Sequence, residues 1–82
     1  MMRVHFYGRI GDRLGRSHKL ELPEDAATVA DLRQLLARTY PDAAGEIASP
    51  SLKVSVGDEI VGEGFDIRRA SVVEFFPPVS GG

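Results

Sequence analysis

The stretch TVADLRQLLARTY, residues 28–40, has the strongest periodicity in the chain and constrains its fold the most. Thr28 with Asp31 three residues later is typical of a helix N-cap, and Pro41 disfavours helical backbone at Tyr40. Apolar residues recur between these signals as on one face of a helix: Val29, Leu32, Leu35, Leu36 and Tyr40. The polar residues predicted for the opposite side are Asp31, Arg33, Gln34 and Arg38. We therefore predict one amphipathic helix of about twelve residues.

Two segments before this helix alternate between apolar and polar residues, which is typical of half-buried β-strands. RVHFYG places Val4 and Phe6 on one face, and SHKLELP alternates until Pro23. The stretch between them, GRIGDRLGRS, contains three glycines and four charged residues. We expect a turn or loop there, with Ile10 and Leu14 reaching the edge of the core.

After the helix, the segment PDAAGEIASPS shows no period and is expected to be an irregular connection. LKVSVGDEIV predicts a strand, a turn at Gly57-Asp58 and a short strand at Ile60-Val61. GEGFDIRRA is then expected to be a loop. SVVEFF predicts a last strand that ends at Pro77, because proline donates no ladder hydrogen bond.

The predicted order is strand, strand, helix, strand, short strand, strand. A single amphipathic helix covers one face of a small sheet, which indicates an α+β domain of two layers. The order is that of the β-grasp, or ubiquitin-like, fold, in which the first and last strands lie parallel in the middle of the sheet. We predict a mixed sheet of four to five strands on one main helix over residues 1–76. Residues 77–82 are predicted to form an extended C-terminal tail.

The composition of the chain argues against several classes of function. The 82 residues are 43% hydrophobic and 27% charged, as in a globular domain, and the net charge is −2. The ten basic residues are dispersed along the sequence, so we expect no nucleic-acid partner. No apolar run approaches the roughly 20 residues that a membrane span needs, and MMRVHFYGRI lacks a signal-peptide core. With no cysteine, we expect a cytoplasmic protein without disulfides or cysteine metal sites.

The C-terminal sequence PPVSGG is a narrow peptide on a stiff root. Pro77 and Pro78 favour an extended backbone, and Gly81-Gly82 has no side chains. Six extended residues reach at most roughly 20 Å beyond the last strand. This shape suits insertion of the Gly82 carboxyl group into the active site of another protein.

A β-grasp order that ends in FFPPVSGG resembles the small subunit of molybdopterin synthase, a family of sulfur carriers related to ubiquitin and to the thiamine sulfur carrier. The resemblance covers the whole chain in element order. It is sharpest over VVEFFPPVSGG and fair over RVHFYGRIGDRLG and TVADLRQLLARTYPD.

The resemblance implies a chemistry for Gly82. An activating enzyme would use ATP to convert its carboxylate to an acyl adenylate, and a sulfur donor would then displace AMP to leave a thiocarboxylate. The loaded tail, with Gly81 next to the reacting end, would enter the large subunit of a heterotetrameric synthase. Its sulfur would pass to cyclic pyranopterin monophosphate during molybdenum cofactor biosynthesis. The chain itself would bind no cofactor, because the acids and bases would come from its partners.

The resemblance also implies a partner-binding surface. Phe76 and Val72 are expected to face away from the helix and to contact the large subunit, unless Phe76 folds over the sheet edge to fill a local gap. The stalk that follows would be guided by Pro77, Pro78, Val79 and Ser80. Arg68-Arg69 departs from the acidic turn that we associate with relatives. We expect both histidines, His5 and His18, to be solvated, and no metal site.

Three other functions remain open at this point. The first is a sulfur carrier for another route, such as thiazole or amino-acid sulfur transfer; the FFPP segment argues against the thiazole carrier. The second is a ubiquitin-like modifier that is conjugated to lysines through Gly82. The third is a non-catalytic β-grasp interaction module.

Overall fold

The computed structural model of the chain describes residues 1–78. Five strands form one sheet: β1 Met2–Phe6, β2 Ser17–Leu20, β3 Lys53–Val56, β4 Glu59–Val61 and β5 Val72–Phe76. Three α-helices accompany them: α1 Arg9–Leu14, α2 Val29–Thr39 and α3 Ala44–Ala48, the last preceded by a 3₁₀ turn at Pro41–Ala43. One helix, α2, is long enough to cover the sheet.

The strand order across the sheet is β2-β1-β5-β3-β4. The central strands β1 and β5 are parallel, with Val4 opposite Val73 and Phe6 opposite Phe75, and the other pairs are antiparallel. The predicted β-grasp arrangement is thus confirmed, including the parallel central pair. The predicted turn between β3 and β4 is also present, with positive φ at both Gly57 and Asp58, as a tight hairpin requires.

The core lies between α2 and the face of the sheet that we call the inner face. Its ten largest side chains exposed by less than 2% are Phe6, Phe75, Leu32, Leu36, Ile47, Ile67, Val4, Val29, Val54 and Val73. The rings of Phe6 and Phe75 lie 5.5 Å apart between their centroids. The predicted apolar stripe of α2 and the alternation of β1 and β5 therefore meet in one core.

The N-terminus of α2 carries the predicted cap in full. The Thr28 hydroxyl accepts a hydrogen bond from the Asp31 amide at 3.2 Å, and the Asp31 carboxylate accepts from the amides of Ala27 (2.8 Å) and Thr28 (3.0 Å). These hydrogen bonds hold the pKa of Asp31 below its usual value. The helix ends at Thr39, and Tyr40 is its C-cap, whose amide still donates to the Leu36 carbonyl; Pro41 follows it, as the sequence predicts.

The expected loop GRIGDRLGRS is instead the short helix α1. Gly8 and Gly15 flank it with positive φ, and Ile10 is buried, as expected. Gly11 is required by packing, because a Cβ there would lie 2.3 Å from the carbonyl oxygen of Phe6. The three glycines hide the helical period in the sequence, and the contact with the end of β1 stabilises so short a helix.

The expected irregular connection PDAAGEIASPS also differs from the structure. It contains the 3₁₀ turn and α3, which bury Ala43 and Ile47 against the core. A single helical turn gives too few positions for a period to be recognised in the sequence.

Arg33 was predicted on the polar side of α2, and this is wrong: the residue is 6% exposed. Its guanidinium donates to the carbonyls of Ile47 (2.9 Å), Ser49 (3.2 Å) and Leu52 (2.6 Å). Its Nε donates to the two carboxylate oxygens of Glu63 at 2.8 and 3.0 Å. Arg33 therefore binds α2 to the segment that follows α3, and its charge is paired with the exposed carboxylate of Glu63.

The loop between β4 and β5 closes the start of α2. The amides of Val29 and Ala30 donate to the carbonyls of Phe65 and Glu63, at 3.1 and 3.0 Å. In the same loop Ile67 is fully buried. Since the first amides of a helix have no partner within it, these carbonyls stabilise the loop and the helix together.

Candidate functional site

The tail begins beside the end of β1. The amide of Tyr7 donates to the carbonyl of Phe75 at 2.9 Å, which continues the parallel pairing of β1 and β5 by one step. Gly8 then turns away with φ of 77°, and Pro77 lies directly against it. A Cβ on Gly8 would lie 2.8 Å from Cγ and 3.0 Å from Cδ of Pro77. The lack of a side chain at Gly8 thus sets the path by which the chain leaves the sheet.

Two depressions flank this root of the tail, and Pro77 borders both. The larger, about 370 Å³, is lined by Tyr7, Gly8, Arg9, Ile10, Glu46, Leu52 and Pro77. The smaller, about 160 Å³, is lined by Glu46, Ser49, Ser51, Leu52, Pro77 and Pro78. An ion pair between Arg13 and Glu46 joins α1 to α3 next to them. Pro77 therefore borders two concave surfaces at the root of the tail.

The face of the sheet away from α2, which we call the outer face, runs up to the same root. Val72, Glu74 and Phe76 of the central strand β5 point to it and are half-buried. Phe76 is paired with Lys53 of β3, in the interior of the sheet. Val72 and Phe76 thus lie on the face that the sequence predicted, with Phe76 next to Pro77.

A hydrogen-bonded carboxylate lies between these two apolar residues. Glu74 accepts from the hydroxyl of Tyr7 at 2.6 Å and from the hydroxyl of Ser55 at 3.4 Å. The bond to Glu74 raises the pKa of Tyr7, because the ionised phenol would face a carboxylate. The contact between Tyr7 and Glu74 depends on the register of β1 against β5, which pairs Phe6 with Phe75.

The sequence of this chain matches the model of a known protein family. The model of the ThiS family matches residues 4–82, which is nearly the whole chain. The chain belongs to the ThiS family. The members of this family are ubiquitin-like sulfur carriers, so the role of this chain is that of a sulfur carrier, which works with enzymes such as an activating enzyme and a sulfurtransferase.

A solved structure has the same fold as this ThiS family protein. The crystal structure of SAMP1 from Haloferax volcanii superposes with a TM-score of 0.79, covering 99% of this chain and 98% of that one. The two sequences are 23% identical. At this identity the likeness concerns the fold alone.

The two histidines of this ThiS family protein occupy different faces. His5 is half-buried on the outer face, with its ring 6.4 Å from that of Tyr7. His18 points to the inner face, opposite Val4, and is half-buried like His5. Since a carbonyl only accepts, His18 donates from Nε2 to Gly15 at 3.1 Å, and its Nδ1 is hydrogen-bonded to the Tyr40 hydroxyl at 3.0 Å. His18 is therefore a structural residue between β2 and α2.

Arg68 and Arg69 lie before β5, at the end of the sheet opposite the tail. Arg68 pairs with Asp66 at 2.6 Å and also donates its amide to it, which lowers the pKa of Asp66 to about 2. Arg69 is exposed. The structure does not bring this pair near the root of the tail.

Four predicted site residues, Val79, Ser80, Gly81 and Gly82, lie outside the described residues. Within residues 1–78 no group of three or more His, Cys, Asp or Glu side chains is arranged to hold a metal ion. No helix in that part of the chain has the length and hydropathy required to cross a membrane.

Proposed function

We propose that this chain is the sulfur carrier subunit of molybdopterin synthase. The observation that carries the proposal is the family match through Gly82, combined with the FFPPVSGG ending. Membership of the ThiS family gives the sulfur carrier role. The Phe-Phe-Pro-Pro segment adds the resemblance to the molybdopterin subunit within that role.

Loading requires two substitution reactions. The first occurs at the α-phosphorus of ATP and the second at the acyl carbon of Gly82. The carboxylate attacks the α-phosphorus of ATP in the activating enzyme and releases pyrophosphate. Hydrosulfide then attacks the acyl carbon, AMP departs as the leaving group, and the C-terminal thiocarboxylate forms. Gly81 and Gly82 place no side chain near this carbon, so they hinder neither attack nor passage through a narrow channel. The catalytic acids, bases and oxyanion donors belong to the partners.

Delivery uses the outer face and the root of the tail. Val72 and Phe76 contact the large synthase subunit, since half-buried apolar side chains beside the tail offer apolar area to a partner. Pro77 and Pro78 hold the direction of the stalk, which Val79 and Ser80 continue. The tip then reaches the active site of the large subunit in a heterotetramer. There the sulfur passes to cyclic pyranopterin monophosphate, and water cleaves the acyl carbon–sulfur bond so that the Gly82 carboxylate is regenerated.

Intact-mass spectrometry tests the loading step. After incubation with an adenylating enzyme, ATP and sulfide, we expect the mass of the intact protein to rise by about 16 Da, from exchange of oxygen for sulfur at the C-terminal carboxylate. Omission of ATP is the control. The loaded protein, mixed with the large subunit and the pterin substrate, is then expected to yield the dithiolene product. A chain lacking Gly81-Gly82 that supports the full rate of this synthesis would overturn the proposal.

The family match equally fits a sulfur carrier of another route, because it covers the carrier as a whole. The same loaded protein separates the two. Sulfur delivered to a thiazole or amino-acid precursor, with no dithiolene formed by the large subunit, identifies the other route. Isopeptide-linked adducts of Gly82 on lysines would identify a protein modifier.

A further inference from the structure

Two positively charged side chains face each other on the outer face. The register of β1 and β2 places Arg3 directly opposite Lys19, and both residues are exposed. Side chains in such antiparallel positions have Cβ atoms about 4.5–5.5 Å apart. On its other side Arg3 is paired with Val72 of β5, which supplies no charge.

In the described part of the chain, residues 1–78, no carboxylate is paired with either cation, Arg3 or Lys19. Like charges directly opposite each other destabilise a sheet, so the pair does not serve the stability of the free protein. Positive charge is in excess in the segment that contains the pair. Residues 1–20 hold five cations and one carboxylate (+4), whereas residues 21–82 hold five cations and eleven carboxylates (−6).

The cations border the apolar residues of the outer face. Arg3 and Lys19 lie beyond Val72 on one side, and the exposed Lys53 lies opposite Phe76 on the other. The carboxylate between them, Glu74, already accepts hydrogen bonds from two hydroxyls. The face therefore combines an apolar strip with a positive border, in a chain of net charge −2.

We propose that Arg3 and Lys19 bind carboxylates of an acidic protein surface that docks on the outer face. The inference rests on the proposed function, since the docking protein is one of the enzymes that load or use the tail. A protein fits better than a nucleic acid, because the cations adjoin the apolar Val72 rather than forming a row that follows phosphates. The partner is expected to carry Asp or Glu residues around an apolar patch.

Binding of a carboxylate between Arg3 and Lys19 removes their repulsion. Loss of one cation should therefore stabilise the free chain and weaken the complex. A residue with a merely structural role would not give these opposite signs, because its loss lowers the stability of the free chain.

The experiment uses Arg3→Gln and Lys19→Gln, with Arg38→Gln as the matched control. Arg38 is also exposed, but it lies on α2, away from the outer face. In low salt the first two variants should melt about 1–4 °C above the wild type, and added salt should shrink the difference by screening. Their Kd for the adenylating enzyme or the large subunit should rise about three- to fivefold each, whereas Arg38→Gln should bind as the wild type does.

A third variant, Lys19→Glu, separates charge from side-chain size. It should pair with Arg3, raise the melting temperature further and weaken partner binding more than Lys19→Gln does. If wild type and all three outer-face variants bind these enzymes equally, the inference is wrong while the proposed function stands.

If neither enzyme binds the wild type, the proposed function fails and a probe of defined chemistry tests the inference alone. Poly-L-glutamate should then shift the backbone amide NMR signals around Arg3 and Lys19 in the wild type and not in the Gln variants. Absence of these shifts, or a stronger response to a single-stranded oligonucleotide, would overturn the proposal of an acidic protein partner.

Discussion

Gly8 shows how a residue without a side chain positions the tail. Its φ of 77° and ψ of −157° belong to a region that residues with a Cβ avoid. The contact with Pro77 adds a second constraint, because a Cβ would overlap the proline ring. Two other glycines allow the backbone strain and the contact to be tested separately. Gly57 has a positive φ but no neighbour that a Cβ would contact, and Gly62 has neither a positive φ nor such a neighbour.

The three glycines give a graded prediction. Gly8→Ala should lower the free energy of unfolding by about 1–3 kcal/mol. Gly57→Ala should cost less, since only the backbone is strained, and Gly62→Ala should stay within about 0.5 kcal/mol of the wild type. Urea unfolding measures all three. Addition of Pro77→Ala, which removes the contacting ring atoms, should recover part of the loss in Gly8→Ala; an unchanged loss would contradict the contact.

Arg33 offers a second test at this scale, because three carbonyls and Glu63 depend on one guanidinium. Arg33→Met should lower the free energy of unfolding by about 2–4 kcal/mol, since the buried carbonyls would lose their donors. Arg38→Met on the same helix, at an exposed position, should change it by less than about 0.5 kcal/mol. Equal losses in urea unfolding would show that the Arg33 contacts do not stabilise the fold.

At the scale of elements, α2 holds its neighbours through its first turn and through one side chain, that of Arg33. Its capping box fixes the first turn, the loop carbonyls of Glu63 and Phe65 bind its free amides, and Arg33 binds the segment after α3. The start of the helix depends on an ionised Asp31, whose pKa is lowered by the amides that it accepts from.

The pH dependence of stability follows from the lowered pKa values. Asp31 and Asp66 have folded pKa values below 3.8, and that of Asp66 is about 2. Their contribution to stability is therefore complete above pH 3.8 and is lost as the pH falls through the folded values. Asp31→Asn should be less stable than the wild type near neutral pH and should approach it on acidification. Urea unfolding from about pH 6 to about pH 2 checks this; a constant difference would refute it.

At the scale of the whole molecule, folding and delivery use different parts of the chain. Every buried residue among residues 1–78 lies between Met2 and Phe75, and Pro77 and Pro78 are exposed. Stability therefore depends on the β-grasp body. The proposed chemistry is confined to the residues that follow it.

Gly82→Ala is expected to separate these two properties. The free energy of unfolding should stay within about 0.5 kcal/mol of the wild type, since no buried residue of the described chain is changed. Thiocarboxylate formation should fall about tenfold or more, because a methyl group beside the acyl carbon disturbs the reacting geometry. Thermal melting and the mass shift after loading measure the two effects. A large loss of stability would show that the tail is part of the folded body.

The sequence alone determined the elements whose signals are local. The alternation around Val4 and Phe75, the stripe and cap of α2 and the proline after β5 each depend on near neighbours in the chain, so their backbone preferences predicted the β-grasp order. The tail stays a prediction, because it rests on the sequence of residues 77–82 and four of these residues lie outside the described part of the chain.

Tertiary structure decided the features that depend on contacts between distant segments. The helices α1 and α3 are too short to form without packing, so their local signals are weak. The burial of Arg33, the contacts of His18 and the bond from Tyr7 to Glu74 arise where residues far apart in sequence meet. The opposition of Arg3 and Lys19 is set by strand register, because a shift of one residue would send each side chain to the other face.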